Sequence, residues 1–222
     1  MKNCLVLPRG FGLAEIFGQH QAAATDGLAF VSPPRDFFMF RRMFPDITRT
    51  LHELYLSDSR PWLVGFSGGK DSTLVAQLIF EAVLSLPVEQ RNKRVDVLCT
   101  DTRVEIPAIV ETIEGTLARM QRCADEHKLD LHVHLLRPPP EQSFWVNIIG
   151  RGYPPPNRFF RWCTQRMKID PVNVFVARQL GRTGEAILHL GARRAESATR
   201  AQTLAGHELR NGLRKHPDLP RV

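Results

Sequence analysis

No stretch of this sequence is long and apolar enough to cross a bilayer as a helix, which takes ~18 residues. The first ten residues place a lysine and an arginine around a short apolar run. They lack both a hydrophobic segment of secretory length and a small-residue cleavage site, so no signal peptide is read there. The expectation is a cytoplasmic protein with no membrane partner. Cysteine is scarce: Cys4, Cys99, Cys123 and Cys163 are the whole complement. No two of them form a C-x-x-C pair, which excludes zinc-ribbon and dithiol-redox patterns. Four reduced thiols are expected, with Cys99 and Cys123 in apolar patterns that suit a core. The segment 52–56, HELYL, lacks the second histidine of H-E-x-x-H, so no zinc site is assigned. His132 and His134 alternate on a strand and read as its wetter face rather than as a metal pair. Phe37, Phe38 and Phe40 read as the packing face of a helix.

The common nucleotide signatures are missing as well. G-x-G-x-x-G does not occur. The Walker A loop needs Gly-x4-Gly-Lys-Ser/Thr, but here Gly69-Lys70 is followed by Asp71, and the position five before Gly69 is Val64.

What the chain has is a soluble composition, 43% hydrophobic and 24% charged over 222 residues, enough for one α/β domain with a core. Its formal charge of +7 is unevenly placed. Residues 151–222 hold 14 Lys and Arg against 5 Asp and Glu, whereas residues 1–150 are slightly acidic. A basic last third suits nucleotide phosphates or a nucleic-acid backbone, although a solvated basic face is the alternative.

Residues 1–35 show no sustained period and read as an irregular extension; residues 36–222 read as one domain. Helical spacing over 36–58 predicts one or two short helices, broken at Pro45. PWLVGF predicts a buried strand, and 72–86 an amphipathic helix closed by Pro87. RVDVLCT (94–100) predicts a second strand, 106–127 a long helix, and LDLHVHLL (129–136) a third strand. Asp170 as N-cap with Pro171 behind it predicts another helix, and EAILHLGA (185–192) a further strand. This order predicts an α/β fold, a Rossmann-like parallel sheet with helices on both faces. Loops 67–72, 101–105 and 191–200 should then meet at the carboxyl edge of the sheet, where ligands bind.

The first of these loops, SGGKDS, runs from a strand into a helix. Gly68 and Gly69 let backbone amides approach an anion, Lys70 adds a charge, and Ser67 and Ser72 add hydroxyls. The stretch resembles the pyrophosphate loop S-G-G-x-D-S of the N-type ATP pyrophosphatases, the adenine nucleotide alpha hydrolase-like group. In that group the loop grips the β,γ-pyrophosphate of ATP. Two further segments resemble phosphoadenosine-phosphosulfate reductases. TDTRVEIP (100–107) is similar to their D-T-G-x-x-F-P, with Arg103 in place of glycine and Ile106 in place of phenylalanine. LGARRAESATRA (190–201) is similar to their G-x-R-x-x-E-S-x-x-R. More specifically, VEQRNKRVDVLCTDTRVEIPAIV and FWVNIIGRGYPPPNRFFRWCTQRMKI resemble the DndC-like proteins of DNA phosphorothioation, a likeness running from about residue 40 to the end.

The resemblance implies an ATP pyrophosphatase and sulfurtransferase that adenylates a DNA backbone phosphate for sulfur incorporation, a modification linked to restriction. Ser67, Gly68, Gly69, Lys70, Asp71 and Ser72 would hold the pyrophosphate and its magnesium, with Asp71 nearest the Mg2+ and Asp101 beside the nucleotide. Arg193, Arg194 and Arg200 would hold phosphate; Arg161, Arg166 and Lys168 would contact DNA. Lys70, Asp71, Cys163 and Arg193 would carry the catalysis. Implied partners are DNA, a cysteine desulfurase and other phosphorothioation proteins. The family also implies a 4Fe-4S cluster with Cys163 as a ligand. One cysteine cannot hold such a cluster, which takes four thiolates, so it would belong to a longer chain or a complex. Relative to the family the domain is expected to be cut short at its C-terminus. Cys163 stands among Arg158, Arg161, Arg166 and Lys168, cations that favour a thiolate. A thiol-dependent phosphoadenosine-phosphosulfate reductase and a non-catalytic nucleotide-binding subunit remain the alternatives.

Overall fold

The computed structural model describes residues 35–157 and 159–192; the extension expected over 1–35 lies almost wholly outside them. Helix α1, Arg35–Leu56, precedes strand β1, Trp62–Phe66, and helix α2, Lys70–Ser85. Strand β2 is Val95–Thr100, helix α3 Pro107–Glu126 and strand β3 Leu131–Leu136. A long connection then leads to helix α4, Asp170–Thr183, and strand β4, Ile187–His189.

The four strands are parallel, in the order β3-β2-β1-β4. Strand order reverses between β1 and β4, and an open parallel sheet has its binding crevice at such a reversal, beyond the strand carboxyl ends. The register puts Phe66 beside Cys99 and Val64 beside His189. The segments that follow β1, β2 and β4 therefore leave the sheet at one edge.

Alternation on β1 and β2 divides the core in two. Trp62, Val64, Phe66, Val95, Val97 and Cys99 pack with Ala76, Ile79, Val83, Leu117 and Ala124 of α2 and α3. On the opposite face Leu63 and Leu98 meet Val176 of α4 and Ala186. The expected fold, with helices on both faces, is the one observed.

Pro45 does not break α1, which runs through it as one helix. A proline inside a helix costs about 3 kcal/mol in lost bonding and clash. Tyr55 at 2% exposure, with Leu51 and Leu54 against the same core, anchors the C-terminal half of the helix and offsets that cost. Asp170 is not an N-cap either. Its backbone is already helical, because a turn at Trp162–Thr164 and a π-helical stretch at Gln165–Ile169 run into α4 without a break. Its carboxylate accepts from Gln165 Nε2 at 2.7 Å. Cys123 is buried as expected.

Asp96 breaks the apolar run of β2 and is fully buried. Its carboxylate accepts a forked pair of bonds from Arg94, both 2.8 Å, and lies 2.7 Å from His134 Nε2. Burial works to raise its pKa; the bonds from His134 and Arg94 outweigh it and hold the carboxyl below its ordinary value. His134 is thus a partner of Asp96. At the amino end of the sheet, Lys93 lies buried against the rings of Tyr55 and Trp62, 3.2 Å from Asp58.

Candidate active site

The turn between β1 and α2 is built to hold its backbone open to an anion. Gly68 has φ +72, a left-handed conformation that glycine adopts without strain, and a Cβ there would also press on Ile113 Cγ1 at 3.3 Å. Ser72, buried in the first turn of α2, closes the loop from inside. Its Oγ accepts from the Ser67 amide at 3.1 Å, lies 3.0 Å from Ser67 Oγ and donates to the Gly69 carbonyl at 2.9 Å. Thr73 adds two more bonds to the same carbonyl, from its amide at 3.0 Å and its hydroxyl at 2.9 Å. With that carbonyl turned into the helix, the first-turn N–H groups and the positive end of the helix dipole face the sheet edge. Ser67, Gly68, Gly69 and Lys70 are exposed, and Asp71 is half-buried.

The segment after β4 leans directly on this loop. A Cβ on Gly191 would lie 2.7 Å from the Asp71 carbonyl carbon and 2.8 Å from both the Asp71 carbonyl oxygen and the Ser72 amide nitrogen. Only glycine allows that approach. Arg193, Arg194 and Arg200, expected on this segment, lie outside the described residues.

Asp101 follows β2 at the same edge. One carboxylate oxygen accepts from the Arg103 amide at 2.8 Å; the other accepts from Arg137 Nε at 2.8 Å, and Arg137 also reaches Glu114 at 3.0 Å. Burial pushes the Asp101 carboxyl up, but Arg137 and the Arg103 amide prevail and its pKa is lowered. Arg137 went unnoticed in sequence, although a cation just past a strand's carboxyl end was the signal. Arg103 itself sits at φ +60, where the resembling family has glycine.

The third part of the site is the connection from β3 to α4. Arg166 ties it together, donating to Gln142 Oε1 at 2.7 Å and to the Tyr153 hydroxyl at 2.8 Å, with its guanidinium over the Tyr153 ring. Two of its donors are thus engaged within the chain. The fully buried Asn147 donates to the carbonyls of Gln142 and Ser143 and accepts from Arg151. Cys163 is a free, half-buried thiol on the turn after Arg161, while Arg161 and Lys168 are exposed. The charge of Lys168 acts on the Cys99 thiol. Cys99 itself is buried, and burial first, then Asp101 and Glu105, push its pKa up to about 11.

Among the described residues no group of three or more His, Cys, Asp or Glu is gathered to hold a metal ion. The described cysteines are Cys99, Cys123 and Cys163, fewer than the four thiolates a four-iron cluster takes. The described residues do not fit that group. No described helix is long and apolar enough to cross a membrane.

Residues 61–211 match the family model described as the phosphoadenosine phosphosulfate reductase domain. An uncharacterized protein of Methanocaldococcus jannaschii is 26% identical over 147 residues, which cover 66% of this chain and 26% of that protein. The chain thus spans about a quarter of that relative's length. Among solved structures, the U34-tRNA thiolase NcsA from Methanococcus maripaludis, determined with its 4Fe-4S cluster, aligns with a TM-score of 0.44. It is 15% identical, with 74% of this chain and 50% of that chain covered.

Proposed function

Because the chain belongs to the phosphoadenosine phosphosulfate reductase domain family, we propose that it is an ATP pyrophosphatase that adenylates a DNA backbone phosphate so that sulfur can enter. The observation that carries this reading is the loop 67–72. Its carbonyl is locked inward by Ser72 and Thr73, and its glycines and helix N-terminus lie at the reversal of strand order. Such a loop stabilises charge that grows on a departing pyrophosphate. Magnesium enters as part of the nucleotide substrate, with Asp71 on its side and Lys70 adding a cation. Ser67 and Ser72 act chiefly by shaping the loop. Asp101 fixes Arg137 and the turn at Arg103. Arg193, Arg194 and Arg200 would hold the α-phosphate and the acceptor.

The step balances as two displacements. A non-bridging oxygen of the DNA phosphate attacks the α-phosphorus, the Pα–O–Pβ bond breaks, and pyrophosphate leaves. The terminal sulfur of a persulfide, supplied by a cysteine desulfurase and carried on Cys163, then attacks the DNA phosphorus. The DNA P–O bond to the adenylate breaks and AMP leaves carrying that oxygen; an external thiol then attacks the Cys163 sulfur, releasing the DNA phosphorothioate, and a second thiol frees Cys163 as the two external thiols become a disulfide. The exposed Arg161 and Lys168 meet the DNA backbone; Arg166, with donors engaged by Gln142 and Tyr153, mainly shapes the connection.

The test is product analysis. Protein with magnesium, ATP and an oligonucleotide should yield AMP and pyrophosphate; ADP and orthophosphate would reject the reading. A second reading is a thiol-dependent reductase of phosphoadenosine phosphosulfate, favoured by the free, half-exposed Cys163. There the thiolate attacks the sulfonate sulfur, the S–O bond breaks and adenosine 3′,5′-bisphosphate leaves; a second thiol then attacks the Cys163 sulfur, releasing sulfite and leaving a disulfide. Sulfite formed without ATP, and lost in Cys163→Ser, would put that reading first.

A further inference from the structure

Between Glu141 and Asp170 no acidic residue occurs, while Arg151, Arg158, Arg161, Arg166 and Lys168 do. Two of the chain's three tryptophans fall in the same stretch, with Phe144, Tyr153, Phe159 and Phe160. Five of these rings form a connected series. Phe160 lies 6.5 Å from Tyr153, Tyr153 stands edge-on to Trp162 at 5.5 Å, Trp162 stacks on Phe144 at 5.6 Å, and Phe144 meets Trp145 edge-on at 5.3 Å. The middle is buried, with Trp162 at 7%, yet both ends reach solvent: Trp145 is 60% exposed and Phe160 43%.

The ends are held on rigid supports. Asn157 Oδ1 accepts from the amides of both Phe159 and Phe160, and the backbones of Asn157 and Phe160 bond to each other in both directions. Trp145 is braced against Phe144. Ordering two aromatic rings outward on a braced frame is costly unless something flat covers them. A frame with cations and no carboxylates attracts a polyanion. Flat faces and a polyanion together describe unpaired nucleotides, whose bases stack on aromatic rings while their phosphates meet Arg and Lys. Paired bases in a duplex hide those faces.

We propose that residues 144–157 and 159–168 form a base-stacking platform for an unpaired stretch of nucleic acid, with Trp145 and Phe160 as stacking rings and Arg161 and Lys168 as phosphate contacts. It rests on the proposed function in one respect: it states the form in which the acceptor strand reaches Cys163, one residue from Trp162. The strand is presented single-stranded or locally opened.

The test is fluorescence anisotropy of the full chain with a fluorescein-labelled thymidine 12-mer and with a duplex of equal length, across a salt series. The single strand should bind ~10-fold tighter. Trp145→Ala and Phe160→Ala should each weaken single-strand binding ~5- to 10-fold without changing its salt slope, because a ring releases no counterions. Trp145→Phe should recover most of the loss, which a folding defect would not allow. Arg161→Ala and Lys168→Ala should flatten the slope. Equal or tighter duplex binding, ring variants with wild-type affinity, or no binding of either strand by folded protein would overturn the platform; the last outcome would assign the rings to a protein partner. ATP turnover measured on the same preparations separates the two proposals. Ring-dependent binding without pyrophosphate release retires the adenylation chemistry alone, and pyrophosphate release with inert rings retires the platform alone.

Discussion

Gly191 and Asp71 touch backbone to backbone: a Cβ on the glycine would stand 2.7 Å from the aspartate's carbonyl carbon. Through this contact the end of β4 sets the position of the first turn of α2, and with it the amides of the anion loop.

Gly191→Ala should therefore displace the loop. Backbone cannot yield as a flexible side chain can, so nucleotide affinity by calorimetry should fall at least ~10-fold, a change of about 1.4 kcal/mol. Gly65→Ala is the control. Its Cβ would lie 2.6 Å from the end of the exposed Leu190 side chain, which can rotate away, and an ordinary 3.7 Å from the His189 carbonyl, so affinity should change less than about 3-fold. Equal losses in both variants would remove the loop-positioning role.

Arg103 sits at φ +60 beside Asp101. A non-glycine residue in this region costs roughly 1–2 kcal/mol. Arg103→Gly should relieve about 1 kcal/mol of it and raise Tm by about 2–4 °C for a chain of this size. A drop in Tm would show that the arginine side chain supplies more than its backbone loses.

His189 gives the protein a pH dependence. Burial, then the nearby charge of Lys93, lower its pKa from 6.5 to about 4, and its Nε2 has no hydrogen-bond partner among the described residues. Above pH ~6.5 the imidazole is neutral folded and unfolded, so it adds no pH dependence there. As pH falls from about 6.5 to about 4, the unfolded chain takes up a proton that the folded chain refuses. Stability should drop by up to about 3 kcal/mol across that window. Urea titrations at pH 7.5, 5.5 and 4.5 should show the loss in wild type and a flatter profile in His189→Phe. Parallel profiles would mean that other groups set the acid limit.

The two free cysteines among the described residues should differ sharply towards alkylation. Cys163 is half-buried, whereas Cys99 is 1% exposed with its thiol pushed up to about 11. Reactivity follows the exposed thiolate. Iodoacetamide at pH 8 followed by peptide mass mapping should label Cys163 and spare Cys99 until the chain is unfolded. Early labelling of Cys99 would contradict its place in the core.

What the sequence determined by itself was local or periodic. Alternation and 3.6-residue spacing marked the strands and main helices, and their order required a parallel sheet. The loop 67–72 was legible because its glycines, lysine and following helix lie within a few residues of one another. What only the tertiary structure decided depends on residues far apart in the chain. Asp96 can lie in a buried strand because His134 and Arg94 meet it there. Asp101 acquires Arg137 from the next strand, and Arg166 turns to Gln142 and Tyr153 instead of outward. Pro45 stays helical because the core holds the rest of its helix. A local pattern fixes what a segment prefers. Pairing across the sheet fixes which charges are neutralised and which rings remain uncovered, and no spacing along the chain encodes that.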